Sequence, residues 1–480
     1  MSAAFRRVSR RARAVGLGAV VVLSAWTVVA AQPSTPDAAI EEEAMRHFQA
    51  ILRLDTQNPP GNEVRVVAYV KAALAREGIE TQVFARDPNR PNLVARLRGN
   101  GSKRPLLVMG HSDVVTVDAA KWTHPPFAAA RTGGHVYGRG TLDDKPSVVA
   151  SLMTMLQLRR LRVPLDRDVI FLAEASEEGN GPFGINYMVA DHWPAIDAEY
   201  CLAEGGGVVR EGGRARFASV TSTEKIPHTI RMVARGAAGH GSVPLLTNPI
   251  VHLSKAIAKI AAWRRPMRLN ETTRAYFEGL ARLAPPDQAE RYRAIVEGRD
   301  VEAVQDHLAA SAPLLHALLR TSISPNIVKG GYLRNVIPSE AEATLDIRAL
   351  PDEDMPAFLD RLRTLVGDPA IEFLPATTGN GRPAAPPSRL DTEAFKVVEA
   401  VHRRVHGVPT LPTMLAAATD MAQVRSRGVQ CYGIGPAIDR EDAALGFGAH
   451  GDQERILEEA FQTFVRVHFE IVRGLAATPR

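Results

Sequence analysis

The segment LLVMGHSDVV (residues 106–115), with GRGTLDDK (138–145) after it, decides how the rest of this chain reads. An apolar run from Leu106 to Met109 stops at Gly110 and delivers His111 and Asp113. Asp143 then follows a turn framed by Gly138 and Gly140. A neutral, oriented imidazole binds a divalent cation, and a carboxylate two residues away is placed to fix the ring from behind. Alone, such a pair more often marks a surface hydrogen bond, so the reading rests on what surrounds it.

On the N-terminal side, 37–52 reads as a helix with Met45, Phe48, Ile51 and Leu52 on one face. Asn58-Pro59-Pro60-Gly61 breaks it, and 64–76 reads as a second helix. Short apolar runs then alternate with helical ones: 81–84, 92–97, 106–109, the helix 147–158, and 168–173. This alternation predicts an α/β fold, a hydrolase-like mixed sheet covered by helices, in which ligands gather beyond the carboxyl ends of strands. The run VIFLA (169–173) opens into Glu174, Glu177 and Glu178. A buried strand ending in adjacent carboxylates is costly unless cations neutralise them; the plain alternative is a solvated acidic turn. Another run ends in Glu204 before Gly205, Gly206 and Gly207, and the loop after 429–435 carries His450. Two imidazoles and several carboxylates match a pair of zinc-like divalent ions better than one, because a lone catalytic zinc needs only three protein ligands.

A chain of 480 residues exceeds one ordinary core, which predicts two domains. Apolar content of 45% and charged content of 23% are those of a globular protein. The formal charge of +5 hints at nucleic acid, but the surplus lies in Arg6, Arg7, Arg10, Arg11 and Arg13. Without them the 58 basic residues fall to the number of acidic ones, 53, and no footprint for a nucleic-acid partner is left. The basic start, the apolar run 14–31 and the small residues Val29 and Ala31 read as a secretory signal peptide over 1–31, implying a secreted or periplasmic protein. An uncleaved anchor is the alternative, and the only route to a membrane this sequence offers. Cys201 and Cys431 lie in apolar runs and read as core residues, with pairing between them left open.

HSDVV, GRGTLDDK, SEEGN, AEGGG, ARGAAGHGSVP, NVIPSEAEATLDIR and AHGDQER follow one another in a fixed order. In order and spacing they resemble the dizinc peptidase family of glutamate carboxypeptidase, aminoacylase, acetylornithine deacetylase and succinyl-diaminopimelate desuccinylase. The likeness spans about residues 40–475 and is greatest to the Gly-X carboxypeptidase and N-acyl amino acid hydrolase branch. It implies that His111 and Glu204 hold one divalent ion, zinc in the first instance, that Glu178 and His450 hold a second, and that Asp143 bridges both. Asp113 would orient His111, and Glu177 would be the general base for an activated water. His240, in GHGS, would reach the metal site, commonly from a partner subunit, to stabilise an oxyanion; the bland alternative is a polar turn residue. Asn335, Arg348 and Thr419 would contact substrate, with Arg348 suited to a free carboxylate unless it is a strand-edge ion pair.

After Lys225 the periodicity changes. A strand over 228–234, a helix capped by Asn248-Pro249, a strand pair at 331–336 and 341–350, a helix over 355–366 and a strand over 371–374 make a βαββαβ set. This predicts a ferredoxin-like α+β domain over 226–378, inserted into a catalytic domain of 38–225 and 379–480, and the family resemblance implies that it serves as lid and dimerisation domain. The charged helical stretch 271–319 reads as an elaboration of the lid. Two departures from the family pattern stand out: Pro146 after GRGTLDDK, and Ala416, Ala417 and Ala418 before Thr419, where glycines are usual. The expected protein is a homodimeric metallo-carboxypeptidase acting on small peptides. Deacylation of N-acyl amino acids is the alternative, and a non-catalytic dimeric binding protein is a third reading.

Overall fold

The computed structural model describes residues 36–179, 181–376 and 381–478; the arginine-rich start and its apolar run lie outside them. Helix Pro36–Leu52 opens the described chain. Among the described residues no helix is long and apolar enough to cross a membrane.

A block of parallel strands positions the site. Val169–Glu174, Leu106–His111, Tyr200–Ala203 and Gln430–Gly433 lie side by side, in that order, inside a ten-stranded mixed sheet. The first three are buried along their whole length, which explains why their sequences are continuous apolar runs rather than alternating ones. Running the same way, they all release the chain at one edge. His111 closes its strand, Glu174 leads into Glu177 and Glu178, and Ala203 leads into Glu204. Helix Lys145–Arg160 is buried from Lys145 through Leu158, packed between the strand Leu106–His111 and the C-terminal helix Glu458–Ala476. Pro146 sits in its first turn, where no helical hydrogen bond is lost.

A second, four-stranded antiparallel sheet has the order Ser322–Gly330, Glu340–Ala349, Ile226–Arg235, Ile371–Pro375. Helices Pro249–Ala262 and Met355–Val366 cover one face, where Met232, Leu345 and Ile347 pack against Leu253, Ile260, Phe358 and Leu362. This is the ferredoxin-like arrangement read from the sequence, with one strand misplaced there. The edge strand is Ser322–Gly330, not 331–336, and Val336–Ile337 pairs instead with Gly239–His240. Ser324-Pro325-Asn326 looks like a turn in sequence. In the structure Pro325 sits at a register shift of an edge strand, where its missing N–H costs no ladder bond.

The helical stretch also behaves differently from its reading as part of the lid. Helices Glu271–Leu283, Pro286–Glu297, Val301–Ser311 and Pro313–Leu318 gather Phe277, Leu280, Ile295 and Leu308 against Phe217, Leu411 and Met414 of the larger sheet. Gly279 permits the close approach, since a Cβ there would lie 2.3 Å from Leu411 Cδ2. Though inserted between strands of the smaller sheet, these helices dock on the other one. Phe277→Ala should therefore lower unfolding stability by about 3–5 kcal/mol, read by urea denaturation, with bound metal unchanged. A loss below about 1 kcal/mol would mean Phe277 is not a core residue of this interface.

Candidate metal centre

Four loops converge at the sheet edge. His111 Nε2 lies 2.9 Å from Asp143 Oδ1, while the other oxygen of the same carboxylate lies 3.2 Å from His450 Nε2. His450 Nε2 is also 3.1 Å from Glu178 Oε1, and His111 Nε2 is 4.0 Å from Glu204 Oε2. The residues His111, Asp143, Glu178, Glu204 and His450 thus meet at one place. Asp144 also comes within ligand distance of His111 and Glu204. It is buried with Oδ2 unpartnered, and burial pushes its pKa up to about 7. Only Asp143 presents its two oxygens to two different imidazoles, the geometry a shared ligand needs, and this favours Asp143 over its neighbour.

Asp113 holds the surroundings in register. Its backbone oxygen lies 3.0 Å from His111 Nδ1, and its carboxylate accepts from Asn58 Nδ2 at 2.8 Å and from the backbone N–H groups of Glu177 and Glu178 at 3.1 and 3.2 Å. One buried residue therefore sets the ring of His111, through its backbone oxygen, and the start of the glutamate loop, through its carboxylate. Two further loops adopt left-handed backbone at non-glycine residues, Ser176 with φ 66° and His450 with φ 63°. Such conformations are unfavourable and persist only where the surroundings impose them. At Ser176 the N–H donates to Glu63, which is buried with Arg90 at 2.6 Å. At His450 the carbonyl accepts from Arg139, which is buried with Glu454 at 2.6 Å. Glu454 also accepts the N–H of Leu142, tying the His450 loop to the Asp143 loop.

Glu177 is 8% exposed, and its Oε1 accepts a hydrogen bond of 2.5 Å from Arg382 Nη2. Burial raises the Glu177 pKa to about 8, against the opposing charge of Arg382. Arg382 also donates to Asp420 at 3.0 Å. Sequence reading missed Arg382, Glu454 and Asn58. Glu454 stands in the AHGDQER motif and was open to notice; no local pattern marks Arg382, which lies just after the inserted segment.

Of the residues expected to touch substrate, Thr419 lies beside Gly205, next to Glu204, while His240, Asn335 and Arg348 are on the smaller sheet and the loops around it. His240 is exposed and bonded to Ser242 at 2.7 Å; Asn335 is beside it, its carbonyl accepting from Gly241 N–H at 2.8 Å. Arg348 is held in two-point contact by Asp346, at 2.9 and 3.2 Å. Thr419 is buried, and both its N–H and its hydroxyl donate to Glu224. Cys201 and Cys431 are register neighbours on adjacent parallel strands and are free thiols.

The donor set suits divalent cations. Crowded buried carboxylates are costly without positive charge to offset them, which divalent ions would supply. Burial opposes a charge on His111, but bonds to Asp113 and Asp143 outweigh it and raise its pKa well above normal. Hydrogen bonds to Asp143 and Glu178 push His450 up to about 10, while burial raises Glu204 well above the usual carboxylate range.

Comparison with known proteins agrees with this geometry. Residues 107–474 match the peptidase family M20/M25/M40. The chain belongs to that family. It is 28% identical over 383 residues to a probable carboxypeptidase S-like 2 of Dictyostelium discoideum, covering 78% of this chain and 72% of that one. It is 26% identical to human N-fatty-acyl-amino acid synthase/hydrolase PM20D1, covering 78% and 74%, and 24% identical to mouse aminoacylase-1, covering 93% and 98%. Among solved structures, the M20 family metallo-carboxypeptidase Sso-CP2 from Sulfolobus solfataricus shares the fold at a TM-score of 0.65 and 18% identity, over 90% of this chain and 98% of that one. Human carnosine dipeptidase 1 does so at 0.63 and 16% identity, over 91% and 97%.

In this M20 chain a metal ion must displace protons from the imidazoles. Asp143 and Glu178 push the His450 imidazole from its ordinary 6.5 up to about 10, so the proton competes most strongly at low pH and yields as pH rises through that window. Zinc titrated into chelator-stripped protein at neutral pH should release protons, seen as heats that depend on buffer ionisation enthalpy, and its affinity should climb with pH. An affinity flat across this range would remove the imidazoles from the ligand set.

Proposed function

We propose that this M20 hydrolase uses two divalent ions to cleave a peptide bond next to a free α-carboxylate, releasing the C-terminal amino acid. The observation that carries the proposal is Asp143, one carboxylate facing both His111 and His450, with Glu177 on the same sheet edge. His111, Asp143 and Glu204 would hold one ion, and Asp143, Glu178 and His450 the other; mixed imidazole and carboxylate donors suit zinc. When bound, the ions supply Lewis acidity that polarises a carbonyl and lowers the pKa of water. Glu177 takes the proton from the attacking water and returns it to the leaving amine, with Arg382 fixing its carboxylate and Asp113 fixing its backbone. Arg348, whose Nε and Nη2 are paired with Asp346, would offer the remaining edge of its guanidinium to the substrate carboxylate.

Deacylation of N-acyl amino acids is a second reading with the same chemistry and the same carboxylate. The similarity to PM20D1 and aminoacylase-1 favours it. A second copy of the chain would pair along the exposed edge of the smaller sheet, where Ile327, Val328, Tyr332 and Leu333 are open and, among the described residues, strand Ser322–Gly330 pairs with one strand. Such a dimer would allow His240 to serve the partner's metal centre as an oxyanion donor. The basic and apolar start of the sequence supports export from the cytoplasm.

A panel of blocked dipeptides and N-acyl amino acids separates the two readings by kcat/KM. On the preferred substrate Glu177→Gln should lower kcat by about 10²–10⁴-fold and leave the metal content intact, and a chelator should stop turnover. Activity indifferent to chelation would defeat the metal mechanism, and metal loss from Glu177→Gln would mark that residue as a ligand instead of the base.

A further inference from the structure

Arg382 divides its fork between two carboxylates. Its Nη2 donates to Glu177 Oε1 at 2.5 Å, and its Nη1 donates to Asp420 Oδ1 at 3.0 Å. A guanidinium and a carboxylate prefer to meet at two points, with parallel bonds to both oxygens. This chain shows that arrangement in Arg348 on Asp346 and in Arg455 on Asp442. At Glu177 it is broken: Arg382 reaches Oε1 alone, and among the described residues nothing donates a hydrogen bond to Oε2. Glu177, Arg382 and Asp420 are all buried, so these contacts are made at low dielectric, where the choice of partner carries most weight.

Both ends of this bridge are anchored. Asp420 follows Thr419, whose N–H and hydroxyl donate to Glu224 Oε2 at 3.0 and 2.7 Å, while the other oxygen of Glu224 lies 2.9 Å from Arg425 Nη2. Arg382 stands before Pro383, Pro386 and Pro387, which restrict the backbone, and Ser388 fastens the segment to the larger sheet. The Ser388 N–H donates to the Ser222 carbonyl at 2.8 Å, and its hydroxyl oxygen accepts from the Cys431 N–H at 2.8 Å. We propose that Asp420 is a positioning residue of the hydrolase: by engaging Nη1 it keeps Arg382 on one oxygen of Glu177 and leaves Oε2 as the oxygen that takes the proton from water. The inference rests on the hydrolase reading, with Glu177 as base. An oxygen that already accepts a bond from a cation is the poorer proton acceptor, so the free one does the work. Without Asp420 the guanidinium is released to turn, close on both oxygens of Glu177 and withdraw the base.

The test is steady-state kinetics on the metal-loaded full chain, with metal content and melting temperature recorded for each variant. Asp420→Ala should lower kcat about 30-fold or more, with KM changed less than about threefold and metal content unchanged. Arg382→Met should lower kcat only about tenfold, because Glu177 loses a guide but keeps both oxygens free. Added to Asp420→Ala, Arg382→Met should raise kcat back to the level of the Arg382→Met chain. Asp420→Asn keeps an acceptor oxygen and eases the repulsion with buried Glu174, so it should fold and fall between the Asp420→Ala and unaltered chains. In the metal-free chain the melting-temperature shifts of Arg382→Met and Asp420→Ala should fail to add, since groups in contact are coupled. Losses of kcat that multiply in the double variant, additive melting shifts, or a raised KM at unchanged kcat would each overturn the assignment. Full activity in Glu177→Gln would sink the hydrolase reading and this assignment together, whereas full activity in Asp420→Ala beside an inactive Glu177→Gln would sink this assignment alone.

Discussion

One carboxylate facing two imidazoles is the constraint on which the rest of this structure depends. Asp143 meets His111 from one oxygen and His450 from the other, although one of these closes a strand and the other two come from separate loops. Side chains so far apart in sequence reach one spot because the parallel strands all end at the same sheet edge. Parallel pairing in turn requires long crossovers, and helix Lys145–Arg160, which begins two residues after Asp143, is one of them. Its burial between sheet and C-terminal helix fixes where Asp143 stands.

Positioning of the charged loops falls to groups that touch no substrate. Buried Arg–Glu pairs are weak stabilisers in general, since desolvation offsets most of the attraction. Here Arg90–Glu63 and Arg139–Glu454 have a different use, because each also bonds the backbone of a loop residue in left-handed conformation. They hold unfavourable backbone at the two places where Glu177, Glu178 and His450 must project. Asp113 completes the frame by joining His111 to the glutamate loop.

The strand exits were legible in the sequence because buried parallel strands are unbroken apolar runs, and an acidic or imidazole residue at the end of each stands out. The ferredoxin-like set was legible in its helices and in the alternation of 340–349. Its edge strand was not, because Pro325 interrupts a strand pattern in sequence, whereas in the structure it sits at a register shift of an edge strand. Docking of the helices around Phe277 on the larger sheet was also hidden, since an amphipathic helix declares that it has a buried face but not which partner covers it. Arg382 is the clearest omission. It grips Glu177 from 205 residues away, and no periodicity or spacing links two residues so distant.

The central claim is that Asp143 serves two ions at once, and metal content by mass spectrometry tests it most directly. After zinc loading and gel filtration the chain is expected to carry two metal ions, His450→Ala one, and Asp143→Ala fewer than one. Two ions retained by folded Asp143→Ala would contradict the account.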